Sequence, residues 1–319
     1  MILTWIIIFS SMNKSFNYSI DVKAALDQGN PVLALESTII AHGMPYPQNL
    51  EFAHEAEEVS RKYGATPATI AILNGQVCIG LDSDQLEILA SDKNVKKVAT
   101  REIGMTLALG GHGATTVSST MRLAHQAGIK VFATGGIGGV HRGAEKDLDI
   151  SADLIELSRT PVIVISAGAK AILDLPKTLE YLETMSVPVI GFGTTDFPAF
   201  YSSKSGLEIH QSMSSADDIA SAFHAQYDLG ITSGMLIANP APTEIEIPLD
   251  EMSVIIELAL RDAAKLGIIG KALTPYLLGR IVELTEGRSL VTNRALALNN
   301  VKLGAGIANR LSEHKSLLA

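Results

Sequence analysis

The sequence predicts an α/β fold of three layers, in which helices cover both faces of a central, mostly parallel sheet. Short apolar runs recur along the chain, at residues 31–35, 69–73, 130–133, 161–165, 188–192 and 235–238. Runs that are apolar throughout are typical of strands buried on both faces. Segments 50–63 and 251–266 place apolar side chains at helical spacing, and each ends just before a glycine. This alternation is the pattern of a sheet covered by helices.

Each element has its own signal. The run PVLAL at 31–35 leads directly into Glu36, and the run at 130–133 leads directly into a glycine-rich loop. The helix at 50–63 has an apolar face made of Leu50, Ala53, Ala56 and Val59. The clearest helix is 251–266, with an apolar face made of Met252, Ile255, Ile256, Ala259 and Ala263. No repeat, low-complexity tract or linker interrupts the chain, which favours one domain.

The composition limits the class of protein. The 319 residues are 47% hydrophobic and 18% charged, which is enough apolar material for a large core. The formal net charge of −9 argues against a nucleic-acid-binding protein, because such a protein needs a basic face. Cys78 is the only cysteine, so no disulfide can form within the chain. A reducing compartment, the cytoplasm, is therefore expected.

The N-terminus is interpreted as a separate segment. Residues 2–9 are apolar, but about 20 residues are needed to span a bilayer, and no membrane association is expected. No basic residue precedes Lys14, as one would in a signal peptide. We therefore expect residues 1–11 to be an extension outside the fold and residues 12–319 to be the single domain. A targeting role is the alternative.

One lysine occupies an unusual position. The buried run 162–166 is followed by the turn Ala167-Gly168-Ala169 and then by Lys170, with apolar residues after it. Poor hydration at such a place lowers the pKa of a lysine. The neutral amine that results is a nucleophile able to form a Schiff base with a carbonyl carbon. The alternative is a structural lysine whose stem lies on apolar surface while its ammonium reaches water.

Two other segments place polar groups at predicted strand or helix ends. Glu36 directly follows a strand and could act as a general acid or base, or else cap a helix or pair within the core. His42 and Gly43, just beyond it, are interpreted as a turn. Small and hydroxyl residues at 110–121 precede a helix, where they could donate hydrogen bonds to an anion or simply cap the helix.

The segment 133–153 begins with a glycine-rich loop and continues with several charged residues. Its glycines do not fit the G-x-G-x-x-G fingerprint of dinucleotide-binding folds. The polar residues after them are His141, Arg142, Glu145, Asp147, Asp149 and Asp153. Carboxylates of this kind suit a divalent cation such as Mg²⁺ or Mn²⁺, and a solvated acidic loop is the alternative.

Two further positions are candidates for ligand binding. Lys96, Lys97 and Arg101 could form a phosphate clamp or a solvated face. Asn293 lies between apolar helical residues, and a buried asparagine needs hydrogen-bond partners, so it could orient a ligand.

Taken together, these segments resemble the pseudouridine-5′-phosphate glycosidase family. The similarity runs from about Pro31 to Leu311. The segments that carry it, in family order, are ALESTIIAHGMPYPQN, PATIAILNG, GATTVSSTM, FATGGIGGVHRGAE, DISADL, AGAKAILDLP, TPYLLGRIVELT and SLVTN. The resemblance implies an enzyme that reversibly cleaves the C–C glycosidic bond of pseudouridine 5′-phosphate, giving uracil and ribose 5-phosphate. It also implies a homotrimer whose subunits each bind one Mn²⁺.

The resemblance assigns roles to individual residues. Lys170 matches the nucleophile, Glu36 the proton donor and Asp149 the Mn²⁺ ligand. The positions that match substrate contacts are Lys97, Val117, Ser151, Ala152 and Asp153, together with His141 and Asn293. Two other classes remain open, namely another Schiff-base enzyme such as a class I aldolase or a pyridoxal-phosphate enzyme, and a catalytically silent sugar-phosphate-binding protein.

Overall fold

Eleven strands form one sheet in residues 16–317, which are the residues that the computed structural model describes; the extension predicted at 1–11 lies outside them. The strands are β1 (Phe16–Tyr18), β2 (Val32–Glu36), β3 (Thr66–Leu73), β4 (Gln76–Ile79), β5 (Lys96–Val98), β6 (Gly113–Thr115), β7 (Val131–Ala133), β8 (Ile163–Ser166), β9 (Val189–Phe192), β10 (Gln211–Met213) and β11 (Met235–Ala238). All six predicted apolar runs form strands. Five strands were not predicted, and each of them is only three or four residues long: β1, β4, β5, β6 and β10.

The order of the strands is β1-β4-β3-β2-β7-β8-β11-β9-β10, and β6 joins β5 to β3. Only the pairs β3–β4 and β3–β6 are antiparallel, and the other described pairs are parallel. The predicted mostly parallel sheet is therefore confirmed.

Helices lie between the strands. They are α1 (Ile20–Gln28), α2 (Gln48–Lys62), α3 (Ser83–Ser91), α4 (Ile103–Ala108), α5 (Val117–Gln126), α6 (Ala144–Asp147), α7 (Ala152–Leu157), α8 (Leu175–Thr184), α9 (Ala216–Asp228), α10 (Leu249–Lys265), α11 (Leu273–Leu284) and α12 (Arg288–Leu317). The two helices identified from their apolar faces correspond to α2 and α10. Short helical turns also occur at Ile39–Gly43, Thr100–Glu102 and Gly270–Ala272. None of the helices within residues 16–317 combines the length and the apolar character needed to cross a membrane.

The central strands are covered on both faces. Every residue of β2 and β8 is buried, as expected for parallel strands between two helical layers. The long helix α12 packs against β2, β7 and β8, while α5 packs against β2, β3 and β7. Gly304 allows α12 to approach the sheet closely, because a Cβ there would lie 2.9 Å from Leu33 Cδ1. This layering confirms the predicted α/β class.

The topology brings three chain segments to one edge of the sheet. Glu36 is the last residue of β2, Thr134 directly follows β7, and Ser166 is the last residue of β8. Because β2, β7 and β8 are parallel neighbours, these three residues lie at adjacent strand ends. In open α/β sheets the carboxyl ends of the strands are where ligands bind.

Candidate active site

A cavity of about 510 Å³, open to solvent, lies at this edge of the sheet. Four residues singled out from the sequence line it, namely Glu36, Lys97, Lys170 and Asn293. These residues come from β2, β5, the turn after β8 and α12, so the fold assembles the cavity from four distant parts of the chain.

Lys170 lies on a turn that the backbone holds rigidly. Its N–H donates to the carbonyl of Ile137 at 3.1 Å, which ties the turn to the glycine-rich loop. Ala169 before it and Ala171 after it are buried, while the lysine side chain is only partly buried. The turn therefore presents one amine to the cavity from an otherwise apolar segment.

Gly168 makes this turn possible. Its φ is +79°, and a Cβ would lie 2.1 Å from the carbonyl oxygen of Pro198. Only glycine avoids both the left-handed strain and that contact. The loop carrying Pro198 also brings Phe200 to the cavity wall, and the Phe200 N–H donates to Ala167 at 3.0 Å.

Gly168→Ala is expected to destabilise the protein more than Gly193→Ala does. Gly193 also has a positive φ, +65°, but nothing lies within 4 Å of the Cβ that alanine would add. In the control variant the free energy of unfolding should fall only by the strain of a left-handed alanine, about 1–3 kcal/mol. Gly168→Ala must in addition displace the backbone at Pro198. Urea unfolding of the two variants measures the difference, and equal midpoints would contradict this account of the turn.

Glu36 is a buried carboxyl in direct contact with a hydroxyl. The Thr134 hydroxyl donates to Glu36 Oε1. Burial raises the pKa of Glu36, and the charges of Lys170 and Lys97 together with the Thr134 bond oppose that rise. A carboxyl with a raised pKa stays protonated at a higher pH than usual, which suits a general acid.

His42 lies on the same cavity wall, within the π-helical turn Ile39–Gly43. Partial burial lowers its pKa, and the nearby charge of Lys97 lowers it further, which favours the neutral imidazole. The sequence analysis interpreted this residue as part of a turn and did not identify it as a cavity residue. The feature of the sequence that could have identified His42 as a cavity residue is its position six residues after Glu36.

Asn293 has an unsatisfied polar atom directed at this region. The residue is 8% exposed, and its Oδ1 has no hydrogen-bond partner within the described residues. A Cβ on Gly135 would lie 3.4 Å from that oxygen, so Asn293 faces the glycine-rich loop. A buried oxygen without a partner costs free energy, which a ligand that donates a hydrogen bond would recover.

The positions Val117 and Ser151–Ala152–Asp153 form a neighbouring cluster outside the lining of the cavity. Asp153 is buried and accepts hydrogen bonds from the N–H groups of Ser118 at 2.9 Å and Gly138 at 2.8 Å. Val117 is the first residue of α5, and Ser151 caps α7. The carboxylate of Asp153 therefore occupies the start of α5, which is the place where binding of an external anion was one of the two alternatives.

The structure does not bring together the three basic residues of the possible phosphate clamp, Lys96, Lys97 and Arg101. Lys97 lines the cavity, whereas Lys96 is its neighbour on β5, and successive side chains of a strand point to opposite faces. Arg101 is 70% exposed and pairs with Glu102 at 2.6 Å. Only Lys97 therefore brings a positive charge to the cavity from this group.

His141 and Asp149 lie apart from the cavity lining, in the loop around α6. His141 Nδ1 is 4.0 Å from Asp149 Oδ2, and the carboxylate is 41% exposed. Within residues 16–317, no group of three or more His, Cys, Asp or Glu side chains could hold a metal ion. A metal ion at this place would therefore have at most these two described side chains as ligands, with water completing its shell.

The fold and this cavity define an α/β enzyme in which a lysine and a buried carboxyl with a raised pKa line the same ligand space. Residues 21–310 match the family model of indigoidine synthase A-like proteins. The chain is 58% identical over 288 residues to a pseudouridine-5′-phosphate glycosidase of Deinococcus radiodurans, covering 90% of this chain and 92% of that protein. It is 53% identical to one of Caldanaerobacter subterraneus subsp. tengcongensis, covering 95% and 98%. The chain belongs to the pseudouridine-5′-phosphate glycosidase family.

Two solved structures share the fold. The prealnumycin C-glycosynthase AlnA, crystallised in complex with ribulose 5-phosphate, has a TM-score of 0.89 and 35% identity, with 95% of this chain and 99% of that chain covered. An indigoidine synthase A-like protein of Thermotoga maritima has a TM-score of 0.86 and 37% identity, with 93% and 97% covered. The resemblance stated from the sequence is thus confirmed.

Proposed function

We propose that this protein is a pseudouridine-5′-phosphate glycosidase, which reversibly cleaves pseudouridine 5′-phosphate to uracil and ribose 5-phosphate. The observation that carries the proposal is the shared cavity of Lys170 and Glu36. The names of the relatives that are 51–58% identical support the substrate. The sugar phosphate bound by AlnA supports a cavity suited to a phosphorylated pentose.

The chemistry explains why an amine is needed. Uracil is joined to the sugar through carbon, so protonating a nitrogen or oxygen at the scissile bond cannot release it. Most glycosidases use two carboxyl groups to cleave a bond to oxygen, where the leaving atom itself can be protonated, whereas a neutral amine can form a nitrogen–carbon double bond after it attacks. Lys170 supplies that amine in this proposal, and Glu36 supplies the acid.

The proposed reaction has three stages. The Lys170 amine attacks C1′ while Glu36 gives its proton to the ring oxygen, which opens the ribose. The attacking nitrogen then gives a proton to the Glu36 carboxylate and regains its lone pair. Glu36 passes this proton to uracil C5, and the C1′–C5 electron pair restores the C5–C6 double bond of uracil as the bond breaks. The nitrogen lone pair forms an iminium between C1′ and Lys170, and water hydrolyses it to ribose 5-phosphate and the free amine.

Uracil release from pseudouridine 5′-phosphate in the presence of Mn²⁺ tests the proposal. We expect release of uracil and of an equal amount of ribose 5-phosphate, and formation of pseudouridine 5′-phosphate when both products are supplied. Uridine 5′-phosphate is the matched control, since it carries the same base through nitrogen. If neither direction proceeds, the proposal is wrong, and other C-glycosides should be tested because AlnA is a C-glycosynthase.

We propose that Asp149 holds one Mn²⁺ per subunit, with His141 beside it. The exposed carboxylate and the nearby imidazole support a hydrated ion. Such an ion would orient the substrate through its bound waters.

Asp149→Asn is expected to weaken Mn²⁺ binding and to lower turnover, because it removes the negative charge of the carboxylate. The electron paramagnetic resonance of free Mn²⁺ measures binding without any need for turnover. Chelation of the wild-type protein should stop uracil release, and added Mn²⁺ should restore it. Glu145→Gln is the control, since Glu145 pairs with Lys177 at 3.1 Å. Full activity after exhaustive chelation, or equal Mn²⁺ binding by both variants, contradicts the proposed site.

We further propose a homotrimer in the cytoplasm. Exposed apolar side chains on and after α10, such as Val254 (59% exposed) and Ile269 (82% exposed), support contact between copies. A single buried cysteine supports a reducing compartment. Native mass spectrometry that gives a monomer at micromolar concentration would contradict the trimer.

A further inference from the structure

We propose that Thr134 is a positioning residue for this reaction, whose hydroxyl holds Glu36 Oε1 so that the transferable proton lies on Oε2, the oxygen open to the cavity. The inference rests on the proposed function and deepens it. Thr134 directly follows β7 and is 98 residues away from Glu36 in the sequence.

The two oxygens of Glu36 have different surroundings. Oε1 accepts the hydroxyl of Thr134. Oε2 has no hydrogen bond to any described residue. It is also absent from the set of fully buried polar atoms that lack a partner, so it keeps some exposure. Oε2 is therefore not sealed within the protein, and Glu36 lines the cavity of Lys170.

This asymmetry determines where the proton lies. A protonated carboxyl has one acceptor oxygen and one O–H donor. In this proposal the Thr134 hydroxyl still donates to Oε1 when Glu36 is protonated, so Oε1 is the acceptor oxygen and the proton lies on Oε2. Once the proton is transferred, the same hydrogen bond is made to a carboxylate and becomes stronger. Thr134 therefore both directs the acid and stabilises its conjugate base.

The backbone of Thr134 is itself fixed by hydrogen bonds at both its N–H and its carbonyl. Its N–H donates to the carbonyl of Ile165 at 3.0 Å. Its carbonyl accepts from Asn300 Nδ2 at 2.8 Å, and Asn300 Oδ1 accepts from Asn239 Nδ2 at 2.9 Å. Thr134, Asn300 and Asn239 are all buried. The hydroxyl is thus held by a buried network that joins the ends of β7 and β11 to α12.

Thr134→Val tests the inference, because it keeps the branched shape and removes the hydroxyl. Thr134→Ser is the matched control, since it keeps the hydroxyl and removes only the methyl group. The charged groups that act on Glu36 are Lys170, Lys97 and Asp153, and His42 lines the same cavity; all four remain in both variants.

The loss of the hydrogen bond removes a stabilisation of the charged carboxylate, so the pKa of Glu36 should rise in Thr134→Val. The alkaline limb of the pH profile of kcat/KM should move to higher pH, and kcat should fall about tenfold or more while KM stays near the wild-type value. Thr134→Ser should keep the wild-type limb. If Thr134→Val does not fold, Thr134→Ala removes the same hydroxyl and should show the same shift.

A second measurement does not depend on turnover. The carbonyl stretch of protonated Glu36 is followed by infrared difference spectroscopy against pH, and its loss in Glu36→Gln assigns it. An upward shift of this titration in Thr134→Val, and none in Thr134→Ser, supports the inference. This holds even if the wild-type protein releases no uracil, because that result would refute only the proposed function. An unshifted titration in Thr134→Val, or equal kinetic losses in both variants with an unshifted limb, overturns it.

Discussion

Lys170→Ala is expected to release uracil at no more than about one-thousandth of the wild-type rate, because it removes the amine that we propose forms the covalent intermediate. Lys170→Arg should be equally inactive, since a guanidinium stays protonated and cannot attack carbon. The fold should survive both changes, because the side chain is only partly buried and the hydrogen bond of this residue to Ile137 is made by the backbone. Steady-state uracil release and thermal unfolding measure the two properties.

Binding distinguishes a missing nucleophile from a damaged cavity. Lys170→Ala should still bind ribose 5-phosphate by calorimetry, since Lys97 and Asn293 remain in the cavity. Lys177→Ala is the control, because Lys177 lies on the following helix, α8, and pairs with Glu145 and Asp174 outside the cavity. Near wild-type uracil release by Lys170→Ala would refute the mechanism.

Glu36→Gln is expected to slow uracil release by about 10²–10⁴-fold, the range that general acids contribute. Glutamine has nearly the same shape, and its amide oxygen can accept the Thr134 hydroxyl, so the fold should be kept. In the proposed mechanism Glu36 acts in its protonated form, and its pKa is raised by burial. The wild-type rate should therefore fall as the pH rises through that raised pKa, and this limb should be absent in Glu36→Gln.

Glu57→Gln is a closely matched control. Glu57 is also a buried glutamate that accepts a threonine hydroxyl, from Thr69 at 2.8 Å, but it lies outside the lining of the Lys170 cavity. It should keep its activity and its alkaline limb. If Glu57→Gln and Glu36→Gln lose activity to the same extent, the loss reports damage to the core and not removal of an acid.

The sequence predicted the strands that are buried on both faces, because a continuous apolar run is a local signal. It did not reveal β5 or β6. Each of these strands has only three residues and lacks such a run, and each forms through its pairing with a neighbouring strand. The same contrast holds in the cavity. Lys170 and Glu36 could be selected because each directly follows an apolar run. Thr134 could not be selected, because its role depends on a contact with a residue 98 positions away.

The acidic loop shows why composition alone cannot assign roles. The sequence placed its carboxylates together as possible metal ligands. In the structure Asp153 turns inward to Ser118 and Gly138, and Glu145 pairs with Lys177. Asp149 lies close to His141, with 4.0 Å between Oδ2 and Nδ1, and Asp147 accepts the N–H of Asp149. The choice among these carboxylates depends on tertiary contacts, which the spacing of residues does not encode.

Chemical trapping tests the central claim, that Lys170 forms the bond to C1′. The wild-type protein is incubated with ribose 5-phosphate and reduced with borohydride, which converts an iminium into a stable secondary amine. After proteolysis, mass spectrometry should find the reduced sugar phosphate on the peptide that contains Lys170, and no such adduct in Lys170→Ala. An adduct on Lys97 instead, or no adduct in a protein that releases uracil, would contradict the account.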